Sequence, residues 1–157
     1  MQIKYIQDTD FVNYKKAASF IAMPSCTFKC EKECGKKMCQ NSELALSKTY
    51  TIDTKKLVER CLDNKLTSAI VFGGLEPLDS FEDLMEFISI YRGKSDNDIV
   101  IYTGYMESEV QEKINKLKTF PNIIVKFGRF VPNSLYVFDE VLGVTLASNN
   151  QYAKKIS

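Results

Sequence analysis

Four cysteines stand within fourteen residues of this 157-residue chain, at positions 26, 30, 34 and 39. Thiolates are the standard ligands of iron–sulfur clusters and of structural zinc, so this crowding is where chemistry is first to be sought. The run Ser25-Cys26-Thr27-Phe28-Lys29-Cys30-Glu31-Lys32-Glu33-Cys34-Gly35-Lys36-Lys37-Met38-Cys39-Gln40-Asn41 has the spacing C-x3-C-x3-C-x4-C. A zinc ribbon wants two close pairs set far apart, and this is not one. Four thiolates would close a site around zinc or a saturated cluster as a structural staple. Three would leave one iron of a [4Fe–4S] cluster free to bind substrate. Spacing alone leaves both open. In a reducing compartment either metal reading outranks disulfides. Lysines 29, 32, 36 and 37 read mostly as a solvated loop surface. The fifth cysteine, Cys61, falls on the apolar face of a helix, where a buried free thiol is ordinary.

The chain has no histidine. That removes Ser–His–Asp and Cys–His nucleophile pairs, His-based metalloprotease motifs and zinc deaminases together. Catalysis must then rest on carboxylates, thiolates, a cofactor or a metal held without imidazole. Lys plus Arg (21) nearly cancels Asp plus Glu (20), which argues against a nucleic acid or an anionic membrane as partner. No run of about 18 apolar residues is present, so no membrane span is expected. The segment MQIKYIQDTDFVNYKK is too polar for a signal peptide, and the expectation is a cytoplasmic, single domain over residues 1–157.

The elements that must position the cysteines alternate. Residues 17–23 (AASFIAM) read as a strand stopped by Pro24, with the cysteine loop following over about 25–41. Asp53 is placed to cap a helix over 54–65, whose stripe is Leu57, Val58, Cys61 and Leu62. Residues 68–72 (SAIVF) form a buried strand running into Gly73-Gly74. Ser80 opens a second helix with Phe81, Leu84, Met85, Ile88 and Tyr91 at helical spacing. Residues 98–103 (DIVIYT) are a strand, Ser108 and Gln111 suggest a capping box for a third helix, and 122–127 (NIIVKF) is the next strand. Residues 135–147 hold one or two more short strands. Such alternation means βαβ units and a mostly parallel sheet. The cysteine loop, Gly73-Gly74-Leu75-Glu76-Pro77, Thr103-Gly104-Tyr105 and Gly128-Arg129-Phe130 all fall at carboxyl ends of strands, the edge where α/β proteins bind ligands.

Together these motifs resemble the radical S-adenosylmethionine enzymes, and among them the small activating proteins of anaerobic (class III) ribonucleotide reductase. The resemblance runs from about Cys26 to the C-terminus. Cys26-Thr27-Phe28-Lys29-Cys30 resembles the start of that family's C-x3-C-x2-C signature, and Met38-Cys39-Gln40-Asn41 resembles its end. Residues 31–38 are then an insertion that contains Cys34, and a set through Cys34 stands as the rival assignment. Gly73-Gly74-Leu75-Glu76-Pro77 resembles the Gly-Gly-Glu-Pro motif with Leu75 inserted. Residues 101–105, Gly128-Arg129-Phe130 and the tail Leu146-Ala147-Ser148-Asn149-Asn150-Gln151 resemble activase signatures in the same order.

The resemblance implies a partial (β/α) barrel of mostly parallel strands. It implies a [4Fe–4S] cluster on Cys26, Cys30 and Cys39, with Met38 against the adenine of S-adenosyl-L-methionine. Gly73, Gly74, Glu76 and Pro77 would hold the methionine amino group, and Thr103, Gly104, Asn150 and Gln151 would complete the cofactor site. No side-chain acid or base is needed, which suits a chain without histidine. So little chain remains beyond the scaffold that a large partner inserting its own loop is expected. The implied partners are a glycyl-radical protein and a one-electron donor such as flavodoxin or ferredoxin. The alternatives are a related enzyme acting on another peptide or small molecule, and a non-catalytic four-cysteine zinc module.

Overall fold

The fold is that of a computed structural model, which describes residues 1–157 apart from the side chain of Cys34. The chain opens with β1 (Gln2–Ile3), β2 (Tyr5–Asp10) and β3 (Ala18–Ala22), then short helices α1 (Lys29–Cys34) and α2 (Ser42–Leu46), and β4 (Tyr50–Thr51). Then α3 (Thr54–Asp63), β5 (Ala69–Gly73), α4 (Phe81–Arg92), β6 (Asp98–Tyr102), α5 (Gln111–Leu117) and β7 (Ile123–Phe127) alternate. Three strands follow: β8 (Val137–Asp139), β9 (Val144–Leu146) and β10 (Tyr152–Lys155).

Six strands form the central sheet in the order β10-β7-β6-β5-β3-β2. The inner four are parallel, and β2 and β10 pair antiparallel at the two edges. The fold is therefore mixed α/β with a mostly parallel sheet. The sheet is open, with an antiparallel strand at each edge where a closed barrel would need parallel neighbours. β1 with β4 and β8 with β9 make separate two-stranded ribbons.

The strands β3, β5, β6 and β7 are laid down in one direction across the sheet. Right-handed crossovers that never reverse direction place every connecting helix on the same face. Accordingly Leu57 of α3, Leu84, Phe87 and Ile88 of α4 and Ile114 of α5 share one core with Ile21, Ile70, Phe72, Ile99, Ile101 and Val125. Burying each of these side chains stabilises the fold by about 1.5–3 kcal/mol. The alternate residues Phe20, Val71, Val100 and Ile124 point to the other face, where Tyr14, Leu142 and Leu146 cover them. None of the crossover helices α3, α4 and α5 covers that second face, where the short helix α2 contributes only Leu44.

Asp53 caps α3 as the sequence predicts, its Oδ1 accepting the Lys56 N–H at 3.0 Å. Two predicted caps are replaced. Ser80 makes no capping bond to α4, because a 3-10 turn over Pro77–Ser80 already starts the segment and Glu76 caps that turn. Ser108 lies inside a second 3-10 turn, Glu107–Glu109, where Glu109 rather than Ser108 satisfies the backbone by accepting the Met106 N–H at 2.8 Å. The cysteine segment, expected as loop, contains α1, which Gly35 terminates in a left-handed conformation. The pairing of β2 and β10 with the sheet was not legible from periodicity, since both are largely exposed edge strands. Among the described residues no helix is long and apolar enough to cross a membrane.

Candidate functional site

A cavity of about 510 Å³ opens at the carboxyl ends of the parallel strands, in the size range of small-molecule sites. Cys26, Cys30 and Cys39 form one wall. Gly73, Gly74 and Glu76 enter from the turn after β5, Thr103 and Gly104 from the turn after β6, and Lys126 and Gly128 from the end of β7. Gln151 lines it from the tail. Of the residues expected at the site, Met38, Pro77 and Asn150 do not line this cavity. Cys61 is buried on α3 and is also absent from the lining. The side chain of Cys34, the rival third thiolate, lies outside the described residues.

The thiol wall is held by short-range bonds. Phe28 adopts a left-handed conformation (φ 51°) and its N–H reaches back to Cys26 Sγ at 3.2 Å. The Asn41 N–H reaches Cys39 Sγ in the same way at 3.4 Å. Glu31 Oε1 accepts the N–H groups of Met38 (3.1 Å) and Cys39 (3.0 Å). The segment is docked on the sheet rim by Asp79, which accepts the Thr27 N–H and the Tyr105 hydroxyl, both at 2.7 Å. Ser25 O accepts the Glu76 N–H at 3.0 Å. Glu109 pairs with Arg129 (2.7 Å) and with Lys29, and Arg129 Nε lies 3.1 Å from Glu33. The bond from Arg129, with Lys29 beside it, holds the Glu109 carboxyl down at about 2.

Burial pushes the Cys26 thiol up to about 11, and the charges of Glu76, Asp79 and Cys30 add to it against the Phe28 N–H. Burial also raises Cys30, with Cys39 the next contributor. Cys26 and Cys30 thus resist ionising, a condition that a bound metal's positive charge reverses. Among the described residues no three Cys, Asp or Glu side chains converge on a point where a single metal ion would sit. Cys26, Cys30 and Cys39 on one cavity wall supply the thiolates that an iron–sulfur cluster takes as ligands.

Glu76 is 6% exposed, with Oε1 accepting from Leu78 N–H (3.0 Å) and Oε2 from Gly104 N–H (2.8 Å). Burial still pushes its carboxyl up to about 7 against those bonds. The extra residue in the motif, Leu75, packs inward at 7% exposure, so the insertion leaves Glu76 in the cavity. Gly74 has φ +78°, and a Cβ there would stand 2.9 Å from Leu44 Cδ2 and 3.1 Å from Ala22 Cβ. Only glycine fits that turn. Gly128 is tighter still against the tail, with φ +97° and a notional Cβ 2.8 Å from Asn150 O. Asn150 is exposed and donates to Arg129 O at 2.9 Å. Gln151 is buried with its amide engaged by Ser148 N–H (3.2 Å) and Gly128 O (3.3 Å).

Lys126 is the residue that sequence reasoning missed. It is 6% exposed, lines the cavity and donates from Nζ to Gly128 O at 2.8 Å. Burial pulls its ammonium down to about 8, opposed by the charge of Glu76. The signal was present: one charge in the otherwise apolar run NIIVKF, where a buried parallel strand tolerates none without a reason.

An open, singly wound α/β sheet with three thiols, an acid and a base at its carboxyl edge defines a cofactor-binding α/β protein. The chain matches the 4Fe-4S single cluster domain over residues 17–150, and it belongs to that family. It is an iron–sulfur protein, which is compatible with an oxidoreductase role. No curated protein and no solved structure matches it.

Proposed function

We propose that this protein binds one [4Fe–4S] cluster through Cys26, Cys30 and Cys39 and, with S-adenosylmethionine as cosubstrate, generates a radical for transfer to a glycyl-radical protein. When bound, a cluster with one iron free of protein ligand supplies the electron that splits the sulfonium of S-adenosylmethionine into methionine and a 5′-deoxyadenosyl radical. The observation that carries the reading is the pairing of a thiol wall with a buried acid and a buried base in one cavity.

The residues of the chain bind and orient. Glu76, raised to about 7 by burial and in no salt bridge among the described residues, is suited in its ionised form to the α-amino group of S-adenosylmethionine. Lys126 is suited to the α-carboxylate. The Gly73-Gly74 turn lets a ligand approach the backbone, because side chains there would occupy the space. Phe20, Tyr102 and Leu146 present apolar surface on the same lining and exclude water from the reacting region. The resemblance to reductase activases supports a glycyl-radical partner, with flavodoxin or ferredoxin as donor.

The test is anaerobic reconstitution with iron and sulfide, reduction, and addition of S-adenosylmethionine. The expected products are methionine and 5′-deoxyadenosine, and with an anaerobic reductase present a glycyl-radical EPR doublet. An intact cluster without S-adenosylmethionine cleavage would overturn the reading. Cleavage without the doublet would redirect it to another peptide or small-molecule substrate.

A further inference from the structure

The eight residues between Cys30 and Cys39 separate two thiols that line the same cavity wall. A flexible connection of that length leaves the second thiol free to sample many positions, and closing it costs entropy. The chain closes it through one side chain. Glu31 follows Cys30 directly, and its Oε1 accepts the N–H groups of both Met38 and Cys39, at 3.1 and 3.0 Å. Its own carbonyl accepts the Gly35 N–H at 2.9 Å, the bond that ends α1 and turns the chain back. Neither Met38 nor Cys39 lies in a helix or strand, and the backbone bond found there, Ser42 N–H to Cys39 O at 3.3 Å, leaves their own N–H groups to Glu31.

We infer that Glu31 is a positioning residue for the cluster: a carboxylate staple that sets the separation of the Cys30 and Cys39 thiolates. One end is covalent, through the peptide bond to Cys30, and the other is a pair of charge-assisted hydrogen bonds. The bond from Asn41 N–H to Cys39 Sγ depends on the same placement. The staple thereby also controls a hydrogen bond to sulfur, one of the determinants of cluster potential. This inference rests on Cys39 being a ligand.

The experiment compares Glu31→Ala, Glu31→Gln, Cys34→Ala and Cys39→Ala after anaerobic reconstitution, with iron and sulfide per chain, the rate of iron loss to a chelator, and redox titration as readouts. Glu31→Gln keeps an acceptor oxygen for both N–H groups, so its iron content should match the wild type. Its midpoint potential should be more positive, because a negative charge beside the cluster is gone. Glu31→Ala should lose iron to the chelator about tenfold faster or more, the usual effect of removing a partner that orients a ligand. Cys39→Ala should lose the cluster and Cys34→Ala keep it. If Cys39→Ala retains full iron, the ligand reading falls and the staple with it. If Cys39→Ala loses the cluster while Glu31→Ala holds iron like wild type, the staple alone is refuted. If Glu31→Gln fails as Glu31→Ala does, the hydrogen-bond account is likewise overturned.

Discussion

Replacing Lys126 with methionine should stabilise the metal-free protein and, under the proposed function, weaken the binding of S-adenosylmethionine. Burial lowers the ammonium from 10.5 to about 8, so the charged form costs about 3 kcal/mol in the folded state. Methionine has a similar length and no charge. The Nζ bond to Gly128 O would be lost, about 1 kcal/mol, but that carbonyl keeps the Gln151 amide at 3.3 Å. The net gain at pH 7 should be about 2 kcal/mol, read by urea unfolding of reduced, metal-free protein. Because the folded pKa is below the unfolded one, the penalty is complete below about 8 and disappears as pH rises toward 10.5. The advantage of the variant should shrink across that window, while groups common to both proteins cancel. Loss of a charge-assisted bond to the α-carboxylate should weaken S-adenosylmethionine about tenfold or more, measured by equilibrium dialysis with the reconstituted protein. A variant less stable than wild type at pH 7, or an advantage unchanged between pH 8 and 10.5, would refute the account of Lys126.

Affinity for S-adenosylmethionine should pass through a maximum near pH 7–8, falling on the acid side as Glu76, raised to about 7 by burial, takes up a proton and on the alkaline side as Lys126 loses one near 8. Glu76→Gln should flatten the acid limb and, with the Glu76 charge gone from beside Lys126, move the alkaline limb to lower pH, and binding curves from pH 6 to 9.5 decide it. Gly74→Ala should destabilise by about 2–4 kcal/mol, from a left-handed conformation and overpacking against Leu44 and Ala22, as followed by urea unfolding. Gly73→Ala, with an ordinary φ and Phe20 ring atoms at 3.1–3.2 Å, should cost less.

Much of this was legible in the sequence where burial imposes a pattern. β5 is a continuous apolar run, and β7 one interrupted only by Lys126, because both of their faces are covered, and α3 announces itself by Asp53 and the stripe Leu57, Val58 and Cys61. The location of the odd residues on one sheet edge followed from those elements alone. What was hidden lacks a periodic signature. β2 (YIQDTD) and β10 (YAKK) are edge strands, mostly exposed, so neither face selects for apolar residues. α4 starts where Ser80 placed it, but Ser80 makes no capping bond, because Glu76-Pro77 opens a 3-10 turn directly before it. Glu31 carries no signal of its own in the sequence, and only three dimensions bring it to Met38 and Cys39.

Glu76 and Lys126 gain their meaning from being kept apart. Both are buried, both line one cavity, and among the described residues no ion pair joins them. The charge of Glu76 supports the Lys126 ammonium only in part, whereas direct contact would have favoured the charged form of both. Instead each is tied to backbone: Glu76 to the Leu78 and Gly104 N–H groups, Lys126 to Gly128 O. Such an arrangement is unfavourable in the empty protein, and sites that sacrifice stability in this way are commonly functional. A neutral guest would leave both penalties standing, and a guest of one charge would relieve only one. A zwitterion carrying ammonium and carboxylate on one carbon, as the methionine end of S-adenosylmethionine does, relieves both. That end would then lie in the same cavity as the wall of Cys26, Cys30 and Cys39.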